Sequence, residues 1–597
     1  MPFDKGFISM RHMLIAALLA ATTFSAPAAA APADDFKALT DDYWAWVLRT
    51  NPVYATSLGE RAYDDQIGDI SLAAADRNAA EAAIFLKRLD AIATDGLSPA
   101  DRVNKAILRR TLSEAIEANR YGQRVMLFTT YSGWHQNFAG MADNLPMRTK
   151  ADFESYLTRI AQYPKLNDEA LKITQQAVDK GYVVPCVALQ GSEKGISGVI
   201  SDDPEKSRFY APFLGKKPLD VSEAEWSAMQ ARARAIITDV LNPAYRKHLA
   251  FYTGTYLKKC AKSESVSAQP GGKEYYAFRI RQETTTDLTA EQIHDIGLKE
   301  VARIRAEMEG TAKKAGFASR EAFIQELRTN PKYYARTPEE LMEKVARVNK
   351  IIDGKMPTLF GKLPRLPYGI REIPAEIAEG TTTAYYNPGS PESAIAGTYY
   401  VNTSKLDQRP FWEIPALSVH EAVPGHHHQI ALQQELDLPA WRRNGAFFTA
   451  FVEGWGLYSE RLGIEMGLYD TPEKDMGRLS YEMWRACRLV VDTGIHAKGW
   501  SKAQAVAFMK DNSALTDANI DAEVNRYISW PGQALAYKLG EIRIRELRAR
   551  AESELGPKFD LRRFHDAVLG QGAVPLDVLQ TQIEEWITAE KAQPKAG

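Results

Sequence analysis

The stretch SVHEAVPGHHHQIALQQE, residues 418–435, constrains this chain more than any other part of it. It opens as a zinc-binding helix opens. In an H-E-x-x-H pattern, histidines at i and i+4 lie on one helix face and grip one ion. His420 and Glu421 begin that pattern, but the i+4 position is Pro424, and the next histidines are His426, His427 and His428. In an unbroken helix His427 stands about 10.5 Å along the axis from His420, and His426 points roughly 120° away. Neither can then share with His420 an ion that needs its ligands at about 2.0–2.1 Å. Pro424 removes a helical hydrogen bond and Gly425 tolerates unusual dihedrals, so the helix is expected to bulge there. His426 then drops into the missing position, and the motif reads H-E-x-x-(P-G)-H. On this reading Gln429 also faces the site, His427 is the alternative ligand, and His428 is expected to be exposed.

A catalytic zinc site needs a third protein ligand and leaves a fourth position for water. Downstream, in TAFVEGWGLYSERLG, Glu453 follows His426 by 27 residues. Gly454 and Gly456 permit a close helix crossing, and Glu460, seven residues on, shares the face of Glu453 and is placed to support a ligand. His420, His426 and Glu453 are thus the candidate zinc ligands. Glu421 is the candidate general base toward a zinc-activated water.

The rest of the sequence sets the frame. The 597 residues are 45% hydrophobic and 25% charged with net charge -2, an ordinary globular balance that points to neither nucleic acid nor an anionic membrane as partner. Residues 1–30 read as a cleavable signal peptide: Lys5 and Arg11 precede the apolar run MLIAALLAATTF, and Ala28 and Ala30 fit a cleavage site after Ala30. That predicts a periplasmic or secreted protein without stable membrane insertion. Three cysteines allow one bridge, with Cys186–Cys260 the candidate pair, and no cysteine sits in a catalytic context.

Helical periodicity dominates. In LTAEQIHDIGLKEVARIRAEMEG, Thr289 and Gln292 make a capping box ahead of a stripe through Ile293, Ile296, Val301, Ile304 and Met308. Strand signals are sparse: residues 274–284, GIREI, TAYYN and, best of all, GTYYVNT at 397–403. The turn-rich segment 261–276 suggests a boundary, giving an N-terminal helical region at 31–265, a catalytic region at 266–590 and a disordered tail at 591–597.

From about residue 275 onward the chain resembles the bacterial domain of unknown function 885. The matching stretches are TTTDLTAEQIH, AGTYYVNT, HEAVPGHHHQIALQQE, TAFVEGWGLYSERLG, RACRLVVDTGIHAKGWS, VNRYISWPGQALAYKLG and FHDAVLGQGAVPL. The earlier half matches more loosely, through SGWHQNFAGMADNLP and DFESYLTRI. That family looks like a distant relative of the helical gluzincins, such as angiotensin-converting enzyme, oligopeptidases and bacterial carboxypeptidases. The resemblance implies a mainly α, two-lobed gluzincin-like fold with a deep central cleft and a small β-sheet. It supplies no substrate; the motif reads as a zinc metallopeptidase, and a deep, helix-walled cleft would admit short or unfolded peptides and exclude folded proteins. A zinc hydrolase of a non-peptide amide and a non-catalytic peptide- or metal-binding protein are the alternatives.

Further candidates follow from the other motifs. His496, four residues after Asp492, is a donor to a developing oxyanion or a structural hydrogen bonder. Tyr527 or Tyr537 is placed to stabilise the oxyanion, and Arg526 or Lys538 to hold a peptide carboxylate. Tyr399 and Tyr400 lie in GTYYVNT, either an edge strand that pairs with substrate backbone or a buried strand. His135 reads as structural.

Overall fold

The computed structural model describes residues 31–130, 132–379 and 381–593; the expected signal peptide lies outside them. The chain is 70% helical with one three-stranded sheet, as its periodicity predicts. Nine elements position the site: α1 (Ala290–Lys314), β1 (Tyr368–Glu372), β2 (Ala384–Asn387), β3 (Gly397–Val401), α2 (Ile414–Glu421), α3 (His426–Glu435), α4 (Thr449–Leu462), α5 (Pro472–Lys498) and α6 (Ala536–Leu555). No helix among the described residues is long and apolar enough to cross a membrane.

The capping box expected at the start of α1 is present, and Ile293, Val301, Ile304 and Met308 are buried. They face α5, whose own length is buried almost throughout. α4 packs against α6 at a glycine crossing: a β-carbon on Gly454 would meet the Cα of Gly540 at 2.5 Å. Only glycine permits that approach.

The sheet order is β1-β3-β2, with β3 parallel to β1 and antiparallel to β2. GTYYVNT is therefore the middle strand. Both of its edges are paired, so the edge-strand reading of Tyr399 and Tyr400 is corrected, and an added peptide strand has no place beside it. A second correction concerns residues 274–284. They form a helix, Gly272–Thr284, buried on more than one side: Tyr276 and Ile280 join one apolar cluster, while Phe278 meets the Tyr121 ring at 5.2 Å. Burial at 276, 278 and 280 alternates as in a strand, and with the aromatic and β-branched composition it imitates one.

Two large apolar cores hold the molecule together, and each draws on both sides of residue 265. One joins Phe153, Tyr163 and Tyr245 to Met476 and Val490; the other joins Phe36, Leu89 and Leu108 to Trp455, Phe564 and Ile583. Cys186 and Cys260 form the disulfide, closing 74 residues of chain. The last helix, Leu576–Ala592, carries the chain into the tail that was expected to be disordered; 594–597 lie outside the described residues.

Candidate metal centre

The Pro-Gly interruption does more than bulge a helix. It ends one and begins another. α2 stops at Glu421, Ala422 leaves the helical region (φ -95°, ψ -107°), and α3 starts at His426. The Val423-Pro424 peptide is cis. The indole of Trp455 on α4 donates to the Pro424 carbonyl at 2.8 Å, and the His427 amide donates to the Ala422 carbonyl at 3.0 Å. A β-carbon on Gly425 would stand 1.8 Å from the His420 carbonyl, so this junction admits no side chain.

The junction brings His420 and His426 together with their rings 4.7 Å apart and nearly perpendicular. Glu453 reaches both from α4: its Oε2 is 3.5 Å from His420 Nε2 and 3.3 Å from His426 Nε2. One donor atom from each of the three lies within 4.8 Å of the other two. Ligands held tetrahedrally at about 2.0–2.1 Å from zinc stand roughly 3.3 Å apart, so this spacing suits one ion. Behind the triad, His420 Nδ1 hydrogen-bonds Glu460 Oε1 at 2.9 Å, which leaves Nε2 to face Glu453. Arg485 on α5 pairs with the same Glu460 oxygen at 3.0 Å. Gly456 makes room for the His420 ring, since a β-carbon there would lie 2.8 Å from it.

Electrostatically the triad is an anion between two imidazoles. Burial alone would depress the His420 imidazole, but the Glu453 carboxylate 3.5 Å away and the hydrogen bond to Glu460 reverse this and lift it to about 9. Burial would raise the Glu453 carboxyl, yet the charge of His426 and the closeness of both imidazoles hold it well below the usual carboxylate range. The site thus favours positive charge between its donors. Glu453 Oε2 has no hydrogen bond among the described residues. Glu421 is also buried, and its carboxylate has no hydrogen-bonding partner among the described residues.

The neighbouring histidines stand outside the triad. His427 bonds the Tyr386 hydroxyl (2.9 Å) and the Leu366 carbonyl (3.0 Å), and burial pushes it down to about 4. His428 was expected to be exposed and is fully buried, its ring 4.4 Å from that of Phe360. The restart of the helix at His426 turns it into the core instead of toward solvent.

The candidates outside the triad separate into near and far groups. Tyr399 is fully buried close to Ser418 and Glu421, with no hydrogen bond to its hydroxyl, while Tyr400 stacks on Tyr385 at 4.9 Å. Tyr537 lies near enough to feel the Glu453 charge, and its hydroxyl accepts from Arg526 at 2.9 Å. Tyr527 accepts instead from Trp484 and Arg488, each at 3.0 Å. His496 is tied on both ring nitrogens, to the Val266 amide (3.2 Å) and the Tyr527 carbonyl (3.0 Å), so it has no free atom for an oxyanion. Lys538 is completely buried between Glu300, Glu482 and Glu541 at 2.9–3.0 Å, which leaves no ammonium to hold a substrate carboxylate. His135 packs against His248 with rings 4.9 Å apart.

Arg485 was missed in the sequence. Its signal is a pair of cations, Arg485 and Arg488, inside the otherwise apolar run MWRACRLVV, where buried guanidinium groups demand carboxylate partners. A cleft was expected, but the residues that line the cavity beside the triad were not named. It has a volume of about 810 Å³ and lies between N-terminal elements, including Asn51, Trp134 and Phe138, and the α3–α4 region. The triad itself is not on its wall. Gln429, one turn beyond His426, and Val452, next to Glu453, are.

The chain is 28% identical to the "putative lipoprotein" from Colwellia psychrerythraea, covering 93% of this chain and 99% of that one with a TM-score of 0.86. A "putative lipoprotein of unknown function" from Shewanella oneidensis shares the fold at 20% identity, with a TM-score of 0.67 over 92% and 99% of the two chains. No curated protein matches the chain. A family model matches residues 52–583, nearly the whole described chain, and the protein therefore belongs to the family described as "Bacterial protein of unknown function (DUF885)".

Proposed function

We propose that this protein is an exported zinc-dependent metallopeptidase that hydrolyses short or unfolded peptides. One observation carries the reading: three donors converge at the spacing of a single ion, with the carboxylate of Glu421 left without a hydrogen bond beside them. His420, His426 and Glu453 would hold the zinc, which when bound supplies Lewis acidity and a water that loses its proton near neutral pH. The protein's own groups do the remaining work. Glu421 accepts the water's proton on its carboxylate and delivers it to the departing amine. Glu460, braced by Arg485, fixes the His420 ring and its tautomer. Tyr399 is a buried hydroxyl that feels the Glu421 charge and has no hydrogen bond of its own among the described residues, and it is the donor assigned to the developing oxyanion.

Export is supported by the signal-like sequence at 1–30, by the disulfide, and by the lipoprotein descriptions of the two similar solved proteins. The test is metal content. Purified protein offered zinc should bind about one ion per chain, and Glu453→Ala should bind none. A wild type that stays metal-free would end the proposal.

A further inference from the structure

The cavity beside the triad has a distinctive chemistry. Five asparagines and three glutamines line it, together with apolar and aromatic side chains, and Arg443 is its one charged residue. Carboxamides both donate and accept, as peptide backbone does, and they place no charge against a neutral side chain. Gln429, only 2% exposed, has an Oε1 without a hydrogen bond among the described residues, between the triad and the rest of the wall. Arg443 makes no ion pair among the described residues, unlike buried Arg442, whose guanidinium is taken by Asn104 and the Gln571 and Ala573 carbonyls. Its backbone is fixed: Gln433 on α3 donates to the Arg443 carbonyl at 3.2 Å.

We infer that Arg443 is the anchor for the C-terminal carboxylate of a peptide lying along α3, making this a site for peptides with a free carboxyl end. This rests on the peptidase reading above. A planar guanidinium facing an otherwise uncharged wall selects a carboxylate and forms paired hydrogen bonds with it. Gln433 follows His426 by seven residues, about 10 Å of helix, which an extended peptide spans in about three residues. Hydrolysis would then add water across one peptide C–N bond. The N-terminal fragment gains a carboxylate, and a C-terminal fragment of about three residues leaves with the new amine.

The test uses full-length zinc-loaded protein and a library of N-acetylated pentapeptides of Ala, Leu, Phe and Gln, made once as free acids and once as C-terminal amides. Cleavage is followed by mass spectrometry. Capture on the Glu421→Gln variant is measured in parallel. Free acids should be cleaved and captured at least tenfold better than amides, and Arg443→Gln should abolish that preference while Arg443→Lys keeps part of it. Equal handling of acids and amides, or an acid preference untouched in Arg443→Gln, would overturn the assignment while leaving the peptidase reading intact. Selective capture of free acids with no cleavage would uphold the anchor and refute the peptidase.

Discussion

Two regions of this molecule are equally rich in titratable and aromatic groups. One is the α2–α3 junction with α4, holding His420, Glu421, His426 and Glu453. The other joins the end of α5 to the helix Asp517–Ser529 and the start of α6, holding Asp492, His496, Arg526, Tyr527 and Lys538. Sequence reasoning placed site residues in both. In the second, His496 is bonded on both nitrogens, Tyr527 accepts two hydrogen bonds, Lys538 has three carboxylates around it, and Asp492 accepts from the Tyr276 hydroxyl at 2.6 Å and the Gly532 amide. In the first, Glu453 Oε2 is buried without a hydrogen bond among the described residues, between two imidazoles. Buried polar groups are normally satisfied, and an acceptor left without a donor at the spacing of one ion marks where a cation fits. A dense polar motif can be a clamp or a site, and the difference lies in what its atoms have left over.

The sharpest way to break this contrast is Glu421→Gln. The substitution keeps size and removes the proton acceptor, so zinc content should stay at the wild-type value while kcat/KM for peptides falls by about 10³-fold or more. Turnover near wild type would place the base elsewhere and dissolve the distinction between the regions. Next in size comes a comparison within the histidine run. His426→Ala should lose the bound zinc outright, measured by equilibrium dialysis. His428→Leu should retain it and change stability by less than about 1.5 kcal/mol, because it replaces one buried ring with an apolar side chain of similar bulk. Zinc lost from His428→Leu and kept by His426→Ala would invert the assignment.

How far the sequence reaches is visible in the same residues. The helix class was legible because α1 and its neighbours repeat their apolar positions every three or four residues, and the triad because H-E, a Pro-Gly break and a later glutamate each carry a geometric demand. The burial of His428 was not legible: a helix that stops and restarts loses the phase that links one half to the other. Likewise the parallel pairing of GTYYVNT with β1, 29 residues away, and the commitment of His496 to Val266, 230 residues away, and of Lys538 to Glu300, depend on partners that no local pattern names. Residues 274–284 show the same limit from the other side, since a helix buried on more than one side presents the alternating apolar pattern of a strand.

The smallest effect concerns the clamp. Burial pushes the Asp492 carboxyl up to about 7, against lowering by its hydrogen bonds to Tyr276 and Gly532; Glu283 adds to the rise and Arg279 opposes it. The folded state therefore holds this proton where the unfolded chain has released it. Its contribution to stability is present at acid pH and is lost as pH rises through 7. Burial holds His135, His248, His496 and His565 below 6.5 by contrast, so they weaken the fold as pH falls below that value. The two slopes oppose each other, and a wild-type curve alone cannot separate them. Asp492→Asn can, because the histidine part is common to both proteins. Between pH 5 and pH 7 the variant should gain about 2 kcal/mol of unfolding free energy relative to wild type in denaturant titrations. Parallel curves would mean that Asp492 ionises normally, and that this second region has an open acid after all.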